Sequence, residues 1–222
     1  FQDEGVIEIT TSCATHCLAP LLSQDNSLNL QFETGVKNYK KHFGVNPKGF
    51  WLPECAYRPE EDGRPGLGYW LDKVGVKYFF TESVVITGGA TQEQRKLFGP
   101  YEGLEYNPHP IRPETGHDTF QSFFLNNYPV AVLGRDDEAG YQVWSKAEGY
   151  PGDGYYREFH KKDDISGLNY WRLTSKEMGL GEKHLYIPEA AMERTKENSD
   201  HYVGMIQNKL HNYYKKSGKQ GF

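Results

Sequence analysis

Trp51-Leu52-Pro53-Glu54-Cys55-Ala56-Tyr57-Arg58-Pro59 is the stretch on which the reading of this 222-residue chain turns. The residues before it, Gly49 to Leu52, form a short apolar run of strand character. Pro53 has no backbone donor and biases Leu52 towards extended backbone, so regular strand pairing stops there. Glu54 is therefore expected at, or just past, the carboxyl end of a strand, the edge on which parallel β/α architectures build active sites. Trp51 and Tyr57 add flat apolar faces with polar edges, which suit the mixed surface of a pyranose ring. A glutamate taken at random is merely solvated; this one is framed by aromatics and closed by prolines.

Working outward, the same grammar of apolar strand followed by polar loop recurs. Val6–Thr10 leads to His16, Val76–Thr81 leads to Glu82, and Pro129–Leu133 leads to Arg135 and Asp136. Helices are expected between them, from Leu30 to about Phe43 with Gly44 as the stop, and from Pro65 to about Val74 with Gly75 as the stop. A long helix is expected from Pro188 to about Lys216, with Ala191, Tyr202, Met205, Ile206, Leu210 and Tyr213 near helical spacing. Strands alternating with helices predict an α/β chain with a parallel sheet and right-handed crossovers. Residues 85–128 break this rhythm. They are rich in Gly, Pro and Asn and far longer than a usual connection, and such a stretch reads as a lid or inserted binding loop, or as a surface excursion.

Composition narrows the partners. A formal charge of −5, 37% hydrophobic residues and no basic run give no reason to expect nucleic acid or an anionic membrane. No apolar stretch has the length of a membrane span, and the first residues lack the plan of a signal peptide, so a cytoplasmic location is the simplest expectation. Phe1 to Gly5 reads as the end of a helix running into a strand, which suggests a piece of a larger barrel. Three cysteines, Cys13, Cys17 and Cys55, are too few for a disulfide framework. With His16 they carry zinc-ligand chemistry, but their spacing is not that of a standard knuckle, so reduced, buried thiols are expected, with no metal and no cofactor.

The segment around Glu54 closely resembles the nucleophile motif of glycoside hydrolase family 57, the α-glucan hydrolases, glucanotransferases and branching enzymes. Gly5-Val6-Ile7-Glu8-Ile9-Thr10-Thr11-Ser12-Cys13-Ala14-Thr15-His16 resembles the family's preceding strand and His-bearing loop. Tyr141-Gln142-Val143-Trp144-Ser145, Gly149-Tyr150-Pro151-Gly152-Asp153, Tyr156-Arg157-Glu158-Phe159-His160, Gly167-Leu168-Asn169-Tyr170-Trp171-Arg172 and Ala191-Met192-Glu193-Arg194 resemble the branching-enzyme subgroup.

The resemblance implies an incomplete seven-stranded, TIM-like β/α barrel over residues 1–222, with a long inserted loop and a C-terminal helix. It implies a retaining mechanism on α-1,4-glucan or maltooligosaccharide, in which two carboxyl groups act about 5 to 5.5 Å apart. Glu54 matches the nucleophile. His16 is the candidate to line the same pocket, Trp51, Tyr57 and Trp144 are candidate aromatic surfaces, and Trp144 has core packing as its alternative. Asp153 would shape the groove, with an Arg157–Glu158 ion pair ordering its loop. A loop tyrosine that favours transfer over hydrolysis corresponds to Tyr101 or Tyr106. The family's acid/base aspartate lies in a motif of the form Phe-Asp-x-Glu-x-Phe-Gly, and no such segment occurs in these residues. The paired-histidine strand and the C-terminal helical region are also not found. The chain alone is thus expected to be inactive or nearly so. Glucanotransferase or amylase activity of the same family and a non-catalytic glucan-binding remnant are the alternatives. A metal-dependent deacetylase would need an Asp and two spaced His ligands that the sequence does not offer.

Overall fold

The computed structural model describes residues 1–88 and 114–222, which form two compact units, Phe1–Arg135 and Asp136–Phe222. The first unit carries the sheet. Its elements are β1 (Thr11–Ser12), α1 (Asp25–Phe43), β2 (Gly49–Trp51), α2 (Leu67–Lys73), β3 (Tyr78–Thr81), α3 (Ser83–Thr87), β4 (Phe123–Leu125) and β5 (Tyr128–Gly134). The strands lie in the order β1-β2-β3-β5-β4. The first three pairings are parallel, with Ser12 opposite Trp51, Phe50 opposite Phe79, and Thr81 opposite Gly134. β4 pairs antiparallel with β5 as a hairpin. The result is an α/β unit with a mixed sheet, whose described edge strands are β1 and β4.

The period of two in each strand explains the packing. Phe50, Phe79, Val130 and Val132 point to one face, where they are buried with Leu28 and Phe32 of α1 and Leu67, Trp70 and Leu71 of α2. Phe32 and Phe50 stack at 4.9 Å between ring centroids. Each such buried side chain contributes about 1.5–3 kcal/mol of transfer free energy. Trp51, Tyr78 and Phe80 alternate to the other face, where Trp51 and Tyr78 both make ring contacts with Phe80. Helix α1 comes unusually close to β1. A β-carbon on its Gly35 would overlap the carbonyl oxygen of Ser12, and Thr11 donates its hydroxyl to the Gly35 carbonyl at 3.1 Å.

Several expectations hold at their glycine ends. α1 stops at Gly44, in the left-handed region at φ 73°, and Gly75 follows the α2 turn at φ 78°. Others shift. The sheet strand expected at Val6–Thr10 begins only at Thr11; Val6 and Ile7 are exposed and unpaired in the sheet, and the Ile9 carbonyl is held instead by the Tyr39 hydroxyl at 2.9 Å. Within the expected lid at 85–128, residues 89–113 lie outside the described residues, while its flanks supply the end of α3 and all of β4.

The second unit holds α4 (Asp137–Trp144), a loop region with short 3₁₀ turns, and the 30-residue α5 (Pro188–Ser217), which ends at Gly218 in the left-handed region. Asp136 caps α4 by accepting from the Ala139 amide at 2.8 Å. Lys209 on α5 joins the same cap, 3.0 Å from Asp136 and 2.7 Å from Glu138. Among the described residues, no helix is long and apolar enough to cross a membrane.

Candidate functional site

The carboxyl edge of the parallel strands in the first unit gathers the polar side chains. Past β1 the chain turns through Cys13 to His16, past β2 comes Glu54, past β3 Glu82, and past β5 Arg135. Pro53–Cys55 forms a single 3₁₀ turn with two consecutive left-handed residues, Glu54 at φ 57° and Cys55 at φ 51°. Non-glycine residues resist that region by roughly 1–2 kcal/mol each, so the surroundings must hold them there. They do so through Cys55 N–H to Leu52 O at 2.9 Å, Ala56 N–H to Pro53 O at 3.2 Å, and the buried Thr81 hydroxyl to Cys55 O at 3.1 Å. The consequence is an alternation in which Pro53 and Cys55 are buried while Glu54 between them is exposed. A carboxylate is thereby presented at the strand end on a braced turn.

The Glu82 carboxylate accepts from Arg135 at 2.6 Å, and Arg135 also hydrogen-bonds the Cys55 thiol. Burial pushes the Cys55 thiol up; Arg135 opposes that, and Glu82 and Glu54 add to it. Cys55 thus senses three charges, Glu54, Glu82 and Arg135, that meet at this edge. His16 is exposed, with its own backbone at φ 52° and its amide donated to Cys13 O at 3.0 Å. Burial also raises the Cys13 thiol, and Cys17 beside it raises it further. Burial thus favours the protonated thiol at Cys13 and Cys55, and among the described residues no group of three His, Cys, Asp or Glu side chains converges as a metal site.

The aromatic candidates differ from one another. Trp51 is half-buried, and its carbonyl is tied to β1 by the Ser12 hydroxyl at 2.9 Å. Tyr57 has one ring face stacked on Phe79 at 5.4 Å and packs against the core, with burial raising its phenol; its ring is engaged in structure more than offered as a platform. Trp144 ends α4 and is 74% exposed, so core packing does not explain it. Tyr101 and Tyr106 lie outside the described residues.

In the second unit, Asp153 follows the Tyr150–Gly152 turn and accepts from Arg194 Nε at 2.5 Å and from the Tyr155 amide at 3.1 Å. Burial works against its ionisation, yet the Arg194 and Tyr155 hydrogen bonds and the Arg194 charge hold its carboxyl below the usual range. Arg157 and Glu158 do not pair with each other. Adjacent residues in extended backbone point to opposite sides, so Arg157 stacks over Tyr186 while Glu158 is buried with His160 and Lys183. Arg58 spends its guanidinium on the Pro59 and Pro65 carbonyls. Sequence pattern alone does not join Glu82 to Arg135, although both residues sit where the strand-then-polar grammar puts functional groups.

Comparison with known proteins bears on this geometry. The family model of glycosyl hydrolase family 57 matches residues 1–179. The 1,4-alpha-glucan branching enzyme TK1436 of Thermococcus kodakarensis is 42% identical over 229 residues, covering 99% of this chain and 32% of that protein. Its crystal structure, in complex with glucose and additives, superposes with a TM-score of 0.80 over 99% of this chain and 40% of that one. The GH57-type branching enzyme of Pyrococcus horikoshii gives 0.79 at 40% identity, over 99% of this chain and 38% of that one. The alpha-amylase AmyC of Thermotoga maritima gives 0.72 at 28% identity, over 99% and 41%. The chain spans about a third of the length of the curated relatives it matches.

Proposed function

This chain belongs to glycosyl hydrolase family 57, and on that premise we propose that it is part of a cytoplasmic α-glucan-active enzyme, a 1,4-α-glucan branching enzyme, working by retention through Glu54. The single observation that carries the reading is the exposed Glu54 on its doubly left-handed turn at the carboxyl end of β2. Similarity to two branching enzymes at 40% identity or more supports the branching outcome.

In this reading, residues 1–222 are part of an incomplete seven-stranded barrel. The Glu54 carboxylate attacks the anomeric carbon of an α-1,4 link, the leaving 4-hydroxyl takes a proton from a general acid, and the resulting glycosyl ester is transferred to a glucan 6-hydroxyl. His16 hydrogen-bonds a sugar hydroxyl, Trp51 and Trp144 offer ring faces, and Tyr57 offers only the face not stacked on Phe79. Asp153 keeps its loop in shape, and Tyr101 or Tyr106 shields the ester from water. The acid is not among these residues, so the chain by itself is inactive on amylose.

A donor with a fluoride leaving group needs no acid, and this makes the nucleophile testable alone. Incubation with 5-fluoro-α-glucosyl fluoride should add one glycosyl mass to a peptide containing Glu54 in the native chain and none in Glu54→Gln. Labelling elsewhere, or equal labelling in both, sinks the assignment. The amylase similarity favours a second reading, α-1,4 hydrolysis or glucanotransfer. Products of the parent enzyme on amylose decide between them, and a lack of new α-1,6 links removes the branching assignment. A glucan-binding remnant without catalysis would bind maltooligosaccharide and leave Glu54 unlabelled.

A further inference from the structure

The second unit contains an open cleft of about 420 Å³ that plays no part in the reaction proposed for Glu54. One wall is a face of α5: Arg194, Asn198 and His201 stand at i, i+4 and i+7, and therefore point the same way. The end of α4, at Gln142, and the turn that follows complete most of the lining. Two glycines fix the turn. A β-carbon on Gly149 would overlap the Gln142 carbonyl oxygen, and one on Gly152 would overlap that of Lys146, so the turn packs tightly against the end of α4 and the residues after it.

The lining is planar, polar and held in place. The Tyr150 hydroxyl and His201 Nδ1 are 2.7 Å apart, Asp153 is locked to Arg194, and Asn198 donates to the Tyr156 hydroxyl at 2.7 Å. The charges cancel, with the carboxylates Glu148 and Asp153 against the cations Lys176 and Arg194. A net-neutral wall gives no advantage to a free anion or cation, while amide, imidazole, phenol and carboxylate groups match the paired donors and acceptors of vicinal hydroxyls. The volume falls within the range of small-molecule sites, roughly 300–1,000 Å³.

We propose that this cavity binds a short stretch of uncharged saccharide, a maltooligosaccharide segment, through residues of the second unit alone. The polyhydroxyl class follows from the lining; the choice of α-glucan rests on the function proposed above. Such a site would hold a polymeric glucan by an interaction that adds to the one at the reacting bond, raising apparent affinity for long chains.

Titration of the ¹⁵N-labelled full chain with maltoheptaose, followed by amide chemical shifts, tests it. Saturating shifts are expected at Gly149, Tyr150 and Gly152, with affinity at these signals about tenfold weaker in Gln142→Ala/His201→Ala, the loss of two net hydrogen bonds. If the double variant does not fold, Gln142→Ala alone, a change on a half-exposed helix position, must still weaken these signals. Shifts near His16 and Cys55 without any at Gly149 to Gly152 would overturn the cavity site and leave the functional reading standing. Shifts at the cavity without any near Cys55 would support the site and count against the glucan reading of Glu54. Silence in both regions would overturn both, and inorganic phosphate producing the same cavity shifts at equal concentration would overturn the neutral-ligand assignment.

Discussion

Arg135 donates to the Glu82 carboxylate at 2.6 Å and so bridges the carboxyl ends of two paired strands, β3 and β5, with the Cys55 thiol as its second partner. Both members are roughly one-third exposed, 34% for Arg135 and 38% for Glu82, so solvent screens much of the attraction. A double-mutant cycle with Arg135→Met and Glu82→Gln should give a coupling of about 1 kcal/mol by urea denaturation. A coupling indistinguishable from zero would mean that the pair does not brace this edge. In the intact enzyme, Arg135→Met should lower kcat more than it raises KM, because Arg135 acts on the turn that presents Glu54 and not on the sugar directly.

Gly35 sets two opposing effects against each other. Replacing a mid-helix glycine with alanine raises helix propensity by about 1 kcal/mol. Here the new β-carbon would meet the Ser12 carbonyl oxygen, which is backbone and cannot swing aside. Overpacking of this kind costs about 1–3 kcal/mol, so the steric effect should win. Gly35→Ala is expected to lower the urea midpoint. An increase would show that α1 can slide along β1 at little cost.

Local signals made much of the first unit legible. Pro53 marks the end of β2, and Gly44 and Gly75 mark helix stops, because a proline or a left-handed glycine acts on the residues next to it. α1 begins at Asp25, before the expected Leu30, since Gln24 caps it with no side-chain hydrogen bond and leaves no mark in the sequence. β4 was missed because Phe123–Leu125 sits in a stretch whose Gly, Pro and Asn content reads as loop, and only pairing with β5 makes it a strand. The expected strand at Val6–Thr10 has strand composition but finds no sheet partner among the described residues. Among the site residues, the position of Glu54 was readable, whereas its two left-handed residues were not. Asp153–Arg194 joins residues 41 apart and Glu82–Arg135 residues 53 apart, and no periodicity reports such pairings.

Tyr78 offers a titration with a definite window. Its hydroxyl donates to Glu8 at 2.5 Å, while its ring lies across Gly49, where a β-carbon would leave it no room. Burial, then the bond to Glu8 and the Glu8 charge, push the phenol up to about 12. Because the folded value is raised, the stabilisation is complete below the unfolded value of about 10 and is lost as pH rises from there through about 12. Tyrosinate absorbance should lose one late-ionising group in Tyr78→Phe, while the Tyr57 and Tyr150 phenols, also raised by burial, remain. The stability of that variant should be less sensitive to pH across the same window, and a late titration unchanged by the substitution would assign the shift elsewhere.

Glu158 and Lys183 are both buried, at 4% and 7% exposure, with their charges 3.8 Å apart. Lys183 also donates to the Leu173 and Ser175 carbonyls at 2.7 and 2.6 Å, so the ammonium ties that one segment to a carboxylate held in turn by His160. Removing one partner leaves the other charge buried without its counter-ion, and Lys183→Met should therefore destabilise the second unit by about 3 kcal/mol, in the lower part of the range for broken buried pairs. The pH dependence has the opposite sense to that of Tyr78. The His160 amide, acting against burial and joined by the His160 ring and the Lys183 charge, holds the Glu158 carboxyl below its ordinary value. Its contribution is present above the unfolded glutamate value of about 4.3 and is lost as pH falls through the depressed folded value. Thermal melts by circular dichroism from about pH 6 down to about pH 3 should show the native chain losing stability more steeply than Glu158→Gln, which has no charge to lose. Parallel slopes for the two proteins would show that other carboxylates, and not this pair, govern acid unfolding.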